Sequence, residues 1–195
     1  MRIAIATFAV LAVPLSAGAS DWQFDSAHTS AQFAVRHLMV STVRGAFSGI
    51  TGTASFDEKD LGKSSVQVSI PAASVDTREP KRDTHLKSSD FLDVEKFPNI
   101  TFKSTKVSAH PTEGSFQVEG NLTIHGVTKP VVLQVEMTPE LKGPGGAPRR
   151  GVSASTKINR KDFGLVWNRS LEAGGVMVGD DVSIQIDAEL VQPKA

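Results

Sequence analysis

The stretch FQVEGNLTIHGVTKPVVLQVEM, residues 116–137, decides the fold. Apolar and polar residues alternate from Phe116 to Ile124 and again from Val131 onward, which is the period of two typical of half-buried β-strands. The connection around Gly126 is short, and a short connection joins antiparallel neighbours. The stretch therefore predicts a β-hairpin.

The same alternation recurs in the rest of the chain. Its members are Ala31, Phe33, Val35 and His37; Val66, Val68 and Ile70; Ile100 and Phe102; Val152, Ala154 and Thr156; and Val182, Ile184, Ile186, Ala188 and Leu190. Strands without βαβ alternation leave a sandwich or a barrel, and long amphipathic strands favour a barrel. We predict one all-β domain, an antiparallel β-barrel of about eight strands.

One segment predicts a helix. Asp76 or Thr77 is placed to cap its free amides, while Glu79 and Pro80 suit its first turn. The helical pattern ends within Leu86–Ser89, and Asp90 begins a turn. We therefore expect a single short helix.

Residues 1–19 have the features of a secretory signal peptide. Arg2 precedes an apolar run from Ile3 to Leu15, and Ala17-Gly18-Ala19 provides the small residues of a cleavage site. A membrane anchor is the alternative, but spanning a bilayer takes about 20 apolar residues. We expect cleavage after Ala19, a mature chain over 20–195, and a periplasmic location.

The composition excludes several classes of protein. The chain has no cysteine, so it offers neither a lipoprotein acylation site nor a disulfide framework. Its 21 basic and 21 acidic residues balance, which argues against a nucleic-acid partner. Its 5 histidines form no close pairs, and no Gly-x-Ser-x-Gly motif is present. We predict no metal site, no catalytic residues and no enzyme activity.

Small residues on the inward faces bear on whether the barrel is hollow. Such residues leave a lumen that can take a small ligand, and they are Ala31, Ala54, Gly120, Ala154 and Ala188. The alternative is that a bulky phenylalanine or tryptophan packs against each of them and fills the core. The sequence leaves both possibilities open.

Ordered motifs along nearly the whole mature chain resemble the YceI family of periplasmic, lipocalin-like proteins. They are His28-Thr29, Phe33, Val35 and His37; Gly45, Phe47, Gly52 and Phe56; Ser74 to Thr77; Arg82 to Ser88; Asp90-Phe91; Phe97-Pro98, Ile100 and Phe102; Gly120 to Thr123; Gly126 to Val131; Arg160; Asp162 to Gly164; and Gly179-Asp180, Val182 and Ile184. Each fragment is weak evidence by itself, whereas their order along one chain is specific.

The resemblance implies an elongated eight-stranded antiparallel β-barrel, lipocalin-like, with one short helix near the barrel mouth. It further implies a polyisoprenoid ligand such as a quinone or polyprenyl phosphate, or a fatty-acid-like amphiphile, held for transport, storage or sequestration. No cofactor is obligatory. The alternative is a structural or stress-response interaction module without an obligatory ligand. Transient contact with a membrane or membrane enzyme, and a homodimer, remain open as further partners.

Ligand-binding residues follow from the inward faces and from the expected mouth of the barrel. The candidates are Phe33, Val35, His37, Phe47, Phe56, Arg82, His85, Val118, Gly120, Leu122, Ile124, Ala154 and Trp167. Three of these assignments have alternatives. His37 is also suited to bond a neighbouring loop at a strand end, Arg82 and His85 to pin the helix to the barrel, and Trp167 to fill the core.

Overall fold

Antiparallel strands make up most of the chain that the computed structural model describes, residues 20–170 and 176–193. They are β1 (Ser20–Phe24), β2 (Ser30–His37), β3 (Ser41–Phe47), β4 (Thr51–Phe56), β5 (Ser65–Pro71), β6 (Asn99–Ala109), β7 (Ser115–Ile124), β8 (Val127–Met137), β9 (Leu141–Lys142), β10 (Pro148–Asn159) and β11 (Val178–Val191). One α-helix, α1 (Pro80–Lys87), lies between β5 and β6. The predicted signal peptide, residues 1–19, lies outside the described residues.

The sheet closes into an antiparallel barrel of 8 strands, as predicted. Around the barrel the order is β1, β4, β5, β6, β7, β8, β10 and β11, and β11 returns to β1. The predicted hairpin is β7 and β8, which pair from Ser115↔Glu136 to Ile124↔Val127. Closure gives each strand of the ring a neighbour on both sides, so only β3 and β9 remain as edge strands among the described residues.

Two of the barrel strands are interrupted. β2 continues the path of β1, and β4 continues the path of β3, so that β1 pairs with β4 while β2 pairs with β3. The first interruption is a 3₁₀ turn at Ser26–His28, which Asp25 caps by accepting a hydrogen bond from the amide of Ala27. The alternation in the sequence predicted β2 but not these interruptions.

The helix starts later than predicted. Glu79 caps it by accepting a hydrogen bond from the amide of Lys81, and the predicted caps Asp76 and Thr77 are wrong. Pro80 explains the difference, because the residue before a proline is disfavoured in the helical region and Glu79 has an extended φ of −141°. No helix among the described residues has the length and hydropathy needed to cross a membrane.

The loops define two different ends of the barrel. The end that we call the helix end carries α1, the β2–β3 turn at residues 38–40, the β7–β8 turn at His125-Gly126 and the connection from β10 to β11. The end that we call the far end carries the β4–β5, β6–β7 and β8–β9 connections, and β11 ends there. The core residues extend between these ends along the inward face.

Candidate functional site: an apolar tunnel through the barrel

A cavity of about 300 Å³ runs inside the barrel. Its volume is that of roughly ten water molecules and lies at the lower limit of typical ligand pockets. Inward side chains from the barrel strands line it, as the alternation predicted, among them Ala54, Val66, Ile100, Leu133, Ile186 and Leu190. The space along the axis is therefore hollow and bounded by hydrocarbon.

Most of the predicted apolar site residues line this tunnel. They are Phe33, Val35, Phe47, Phe56, Val118, Leu122, Ile124 and Ala154. Their arrangement follows from the register of the sheet, because residues two apart on one strand share a face. Contact of these side chains with a ligand stays a prediction.

Gly120 and His37 share the inward alternation but do not line the tunnel. A Cβ atom at Gly120 would lie 2.4 Å from Cζ of Phe102, so the phenyl ring already occupies the space that the glycine leaves. His37 ends β2, where it pairs with Ser41 and Val178, and it is half-buried. At Gly120 the structure therefore agrees with the alternative in which a bulky side chain fills the space beside the small residue, and not with an open lumen at that point.

Arg82 is engaged within the chain and does not line the tunnel. Its Nε donates to Oγ1 of Thr77 at 2.8 Å, and Nη2 donates to the Thr77 carbonyl at 2.9 Å. Asp83 accepts from the amide of Thr77 at 2.9 Å. These bonds fasten α1 to the segment before it, which is the anchoring role left open by the sequence.

His85 and Trp167 form an aromatic group with Phe91 at the helix end. The ring centroid of His85 lies 5.0 Å from that of Phe91 and 4.8 Å from that of Trp167, and both contacts are edge to face. Nε2 of His85 lies 2.8 Å from a carboxylate oxygen of Asp90. Phe91 lines the tunnel, whereas His85 and Trp167 pack against the Phe91 ring and do not line the tunnel. They therefore support the mouth rather than form its inner surface.

Arg160 lines the tunnel but is absent from the predicted ligand-binding residues. It follows β10 directly and has only 3% of its surface exposed. Its guanidinium donates to the backbone carbonyls of Leu165, Trp167, Val178 and Gly179 and pairs with Asp180 at 3.3 Å. It also continues the inward alternation of β10 past Ile158, which is a signal that the sequence contained.

The guanidinium of Arg160 holds two backbone segments together over the helix end. Burial lowers its pKa, and the nearby carboxylate of Asp180 opposes that shift. Residues 165–168 and 178–180 are linked through this single side chain, and Asn168 adds bonds to the amide and carbonyl of Val178. The guanidinium of Arg160 is therefore already bonded to the backbone segments that lie over the helix end of the tunnel.

A cluster at the interruption between β1 and β2 has the residue types of a metal site. Ligand atoms of Asp25, His28 and Glu189 lie within 4.8 Å of one another. However, Nη1 of Arg149 pairs with both carboxylates, at 3.2 Å from Asp25. Hydrogen bonds from His28 and the Ala27 amide, with that from Arg149, lower the pKa of Asp25. We interpret the cluster as an ion-pair network that fixes the interruption.

The chain is similar to known proteins in sequence and in fold. The family model of the YceI-like domain matches residues 22–190. A UPF0312 protein of Vibrio cholerae is 38% identical over 165 residues, covering 84% of this chain and 87% of the relative. A crystal structure of the Campylobacter jejuni YCEI protein has a TM-score of 0.68 and 31% identity, covering 82% of this chain and 90% of that one.

A more distant solved structure shares the fold. It is a polyisoprenoid binding domain from Saccharophagus degradans implicated in plant cell wall breakdown. Its TM-score is 0.63 at 14% identity, and the match covers 88% of this chain and 98% of that chain.

Replacement of Arg160 by Met should destabilise the helix end. The change leaves carbonyl oxygens without their donor and removes the partner of Asp180, so we expect a loss of about 2–4 kcal/mol. Urea unfolding measures the loss, and hydrogen exchange should show faster exchange at Leu165 and Val178.

Lys161→Met is the matched control. Lys161 pairs with the same carboxylate group at 2.8 Å but is exposed, so its loss should cost no more than about 0.5 kcal/mol. Equal destabilisation by both variants would contradict the role assigned to Arg160.

Proposed function

The chain belongs to the YceI-like family, and from this membership and the apolar tunnel we propose that it is a binding protein for a long-chain lipid. The tail of an isoprenoid or a similar amphiphile occupies the barrel axis. The single observation that carries the proposal is the continuous hydrocarbon lining of an unfilled space of about 300 Å³. Such a site binds by removing apolar surface from water and requires no reacting group.

The energetics favour a tail without polar groups. Burial of hydrocarbon contributes about 25 cal/mol per Å², or roughly 0.8 kcal/mol per methylene. A hydroxyl or charge placed in the same lining would lose its bonds to water without replacement. The ligand class is therefore a quinone, a polyprenyl derivative or a fatty-acid derivative, with its head group at one end of the tunnel. The similarity in fold to the polyisoprenoid binding domain from Saccharophagus degradans supports the quinone and the polyprenyl derivative.

The cations near the tunnel favour an uncharged head group over a phosphate. Arg160 is bonded to carbonyls and to Asp180, and Arg82 is bonded to Thr77. Neither would be free to neutralise a phosphate without losing these internal partners. Within the proposed ligand class, a quinone-like head group fits this arrangement better.

The cellular role that we propose is to carry, store or sequester this lipid in the periplasm. The signal-like residues 1–19 and the membership in the family support the location. A structural or stress-response module without an obligatory ligand is the alternative, and ligand occupancy separates the two. Binding without catalysis is the form of function that the apolar lining favours.

We also propose that lipid exchange involves contact of the helix end with a membrane. Exposed apolar side chains lie at this end, with Met39 56%, Val40 77% and Val166 65% exposed. Arg36 holds the turn by donating to the Met39 carbonyl at 2.7 Å.

Protein purified without detergent and extracted into organic solvent should release a long-chain lipid that mass spectrometry detects in stoichiometric amount. Ala154→Leu should reduce its recovery, because the larger side chain enters the tunnel beside Val135 and Ile186. Native mass spectrometry of the intact protein gives the occupancy of each variant.

Ser155→Leu is the matched control, since this neighbour on β10 points to the outside of the barrel. Its occupancy should equal that of the unchanged protein. An empty extract from repeated preparations would favour the ligand-free module, and equal occupancy in Ala154→Leu would contradict the tunnel as the site.

Vesicle flotation tests the membrane contact. With vesicles of phosphatidylethanolamine and phosphatidylglycerol, Met39→Asp combined with Val40→Asp should weaken partitioning at least tenfold, since about 1.5–3 kcal/mol is available per buried apolar side chain. Leu141→Asp is the matched control, because Leu141 is also 56% exposed but lies at the far end. The same loss in Leu141→Asp, or none in the double variant, would refute the assigned surface.

A further inference from the structure

Aromatic rings from two strands of the barrel meet at its far end. Phe56 is the last residue of β4 and Phe116 lies near the start of β7, with β5 and β6 between them. Their ring centroids are 5.5 Å apart at 77°, edge to face. Both side chains line the tunnel, so they meet inside it rather than on the outer surface.

An inward arginine from a third strand lies beside this ring contact. Arg150 lies on the same face of β10 as Val152 and Ala154, and its guanidinium carbon is 5.5 Å from the ring centroids of both Trp22 and Phe56. Its side chain is only 12% exposed, and Trp22 is 1% exposed. Stacking on aromatic faces is favourable for a guanidinium.

Acidic residues on the far-end loops hold this arginine in place. Nη2 of Arg150 donates to Glu58 at 2.6 Å and lies 3.9 Å from Glu140. Its aliphatic stem faces the apolar interior while the charged group reaches the carboxylates outside. We call Trp22, Phe56, Phe116 and Arg150 together the far-end plug.

The helix end is built differently. There the tunnel is bounded by Leu86, Phe91 and Leu92 on the α1 side, by Leu165 after β10, and by Val178 at the start of β11. Apart from Val178, these residues lie on a short helix and connecting segments rather than on paired strands. An end made of loops opens at lower cost than one made of residues on paired strands.

From this contrast we propose that the far-end plug is a length gauge. The lipid enters at the helix end with its terminal methyl group first, and the tail stops against Phe56 and Phe116. The plug therefore sets the longest tail that is fully buried, and the head group stays at the helix end. This inference rests on the proposed function, since it concerns the same tunnel.

The 2 tryptophans of the chain give a direct test of the orientation, because Trp22 belongs to the plug and Trp167 stands at the helix end. In Trp167→Phe the remaining indole reports on the plug, and in Trp22→Phe on the helix end. Stearic acid that carries a doxyl group near its terminal methyl should quench Trp22 more strongly than stearic acid labelled near its carboxyl group. Trp167 should show the reverse order.

Prenols of increasing length, from farnesol to decaprenol, test the gauge itself by displacement of a bound fluorescent fatty acid. Affinity should rise at least about tenfold for each added isoprene unit that is buried and then level off. Phe116→Ala should move the levelling point by about one unit towards longer prenols, since the removed ring has roughly that size. Phe116→Trp should move it towards shorter ones, and urea unfolding verifies that each variant is folded.

Phe47→Ala is the matched control, because Phe47 also lines the tunnel but packs against Phe33 on the β2–β3 side of the helix end, with ring centroids 5.7 Å apart. Removal of the Phe47 ring should lower the affinity for prenols of every length by a similar factor without moving the levelling point. An unchanged point in both Phe116 variants, an equal shift in Phe47→Ala, or reversed quenching would overturn the gauge. Failure of the unchanged protein to bind any prenol or labelled fatty acid would instead overturn the proposed function.

Discussion

Closure of the sheet is the constraint on which the rest of the structure depends. Once β11 pairs with both β10 and β1, the strands of the ring must each point one face towards a common axis, and the alternating residues make that face apolar. An eight-stranded barrel has an interior near the limit that side chains alone can fill. With Ala31, Ala54, Ala154 and Ala188 on that face, hydrocarbon space remains along the axis.

The barrel wall is one antiparallel sheet lined mainly by apolar side chains, whereas its two ends use different chemistry. At the far end, aromatic rings and a guanidinium that are all carried on strands contact one another. The helix end is covered by connecting segments that meet at the buried Arg160. Each end therefore depends on one inward arginine, Arg150 on β10 or Arg160 directly after β10, and the charge of each is paired within the chain. A tunnel with one rigid end and one looser end can admit a tail from a single direction.

Much of the fold could be predicted from the sequence, because alternation is a local signal. It indicated the hairpin from Phe116 to Met137, the long last strand and most of the tunnel lining. Features that depend on tertiary pairing could not be predicted, such as the interruption at Asp25–Thr29 and the ring of Phe102 over Gly120.

The polar site residues were harder to predict than the fold. Arg82 and His85 were placed at the mouth because they are polar, yet their bonds to Thr77 and Asp90 can be known only from the structure. Arg160 had the inward alternation but was passed over, because a charged residue is not expected in an apolar face.

The most direct test of the account is a crystal structure of the protein grown with geranylgeraniol. The account predicts continuous ligand density along the barrel axis, with the hydroxyl near Phe91 and Leu165 and the tail running towards Phe116. Density confined to the outer surface, or an axis filled by rearranged side chains with no ligand inside, would contradict it.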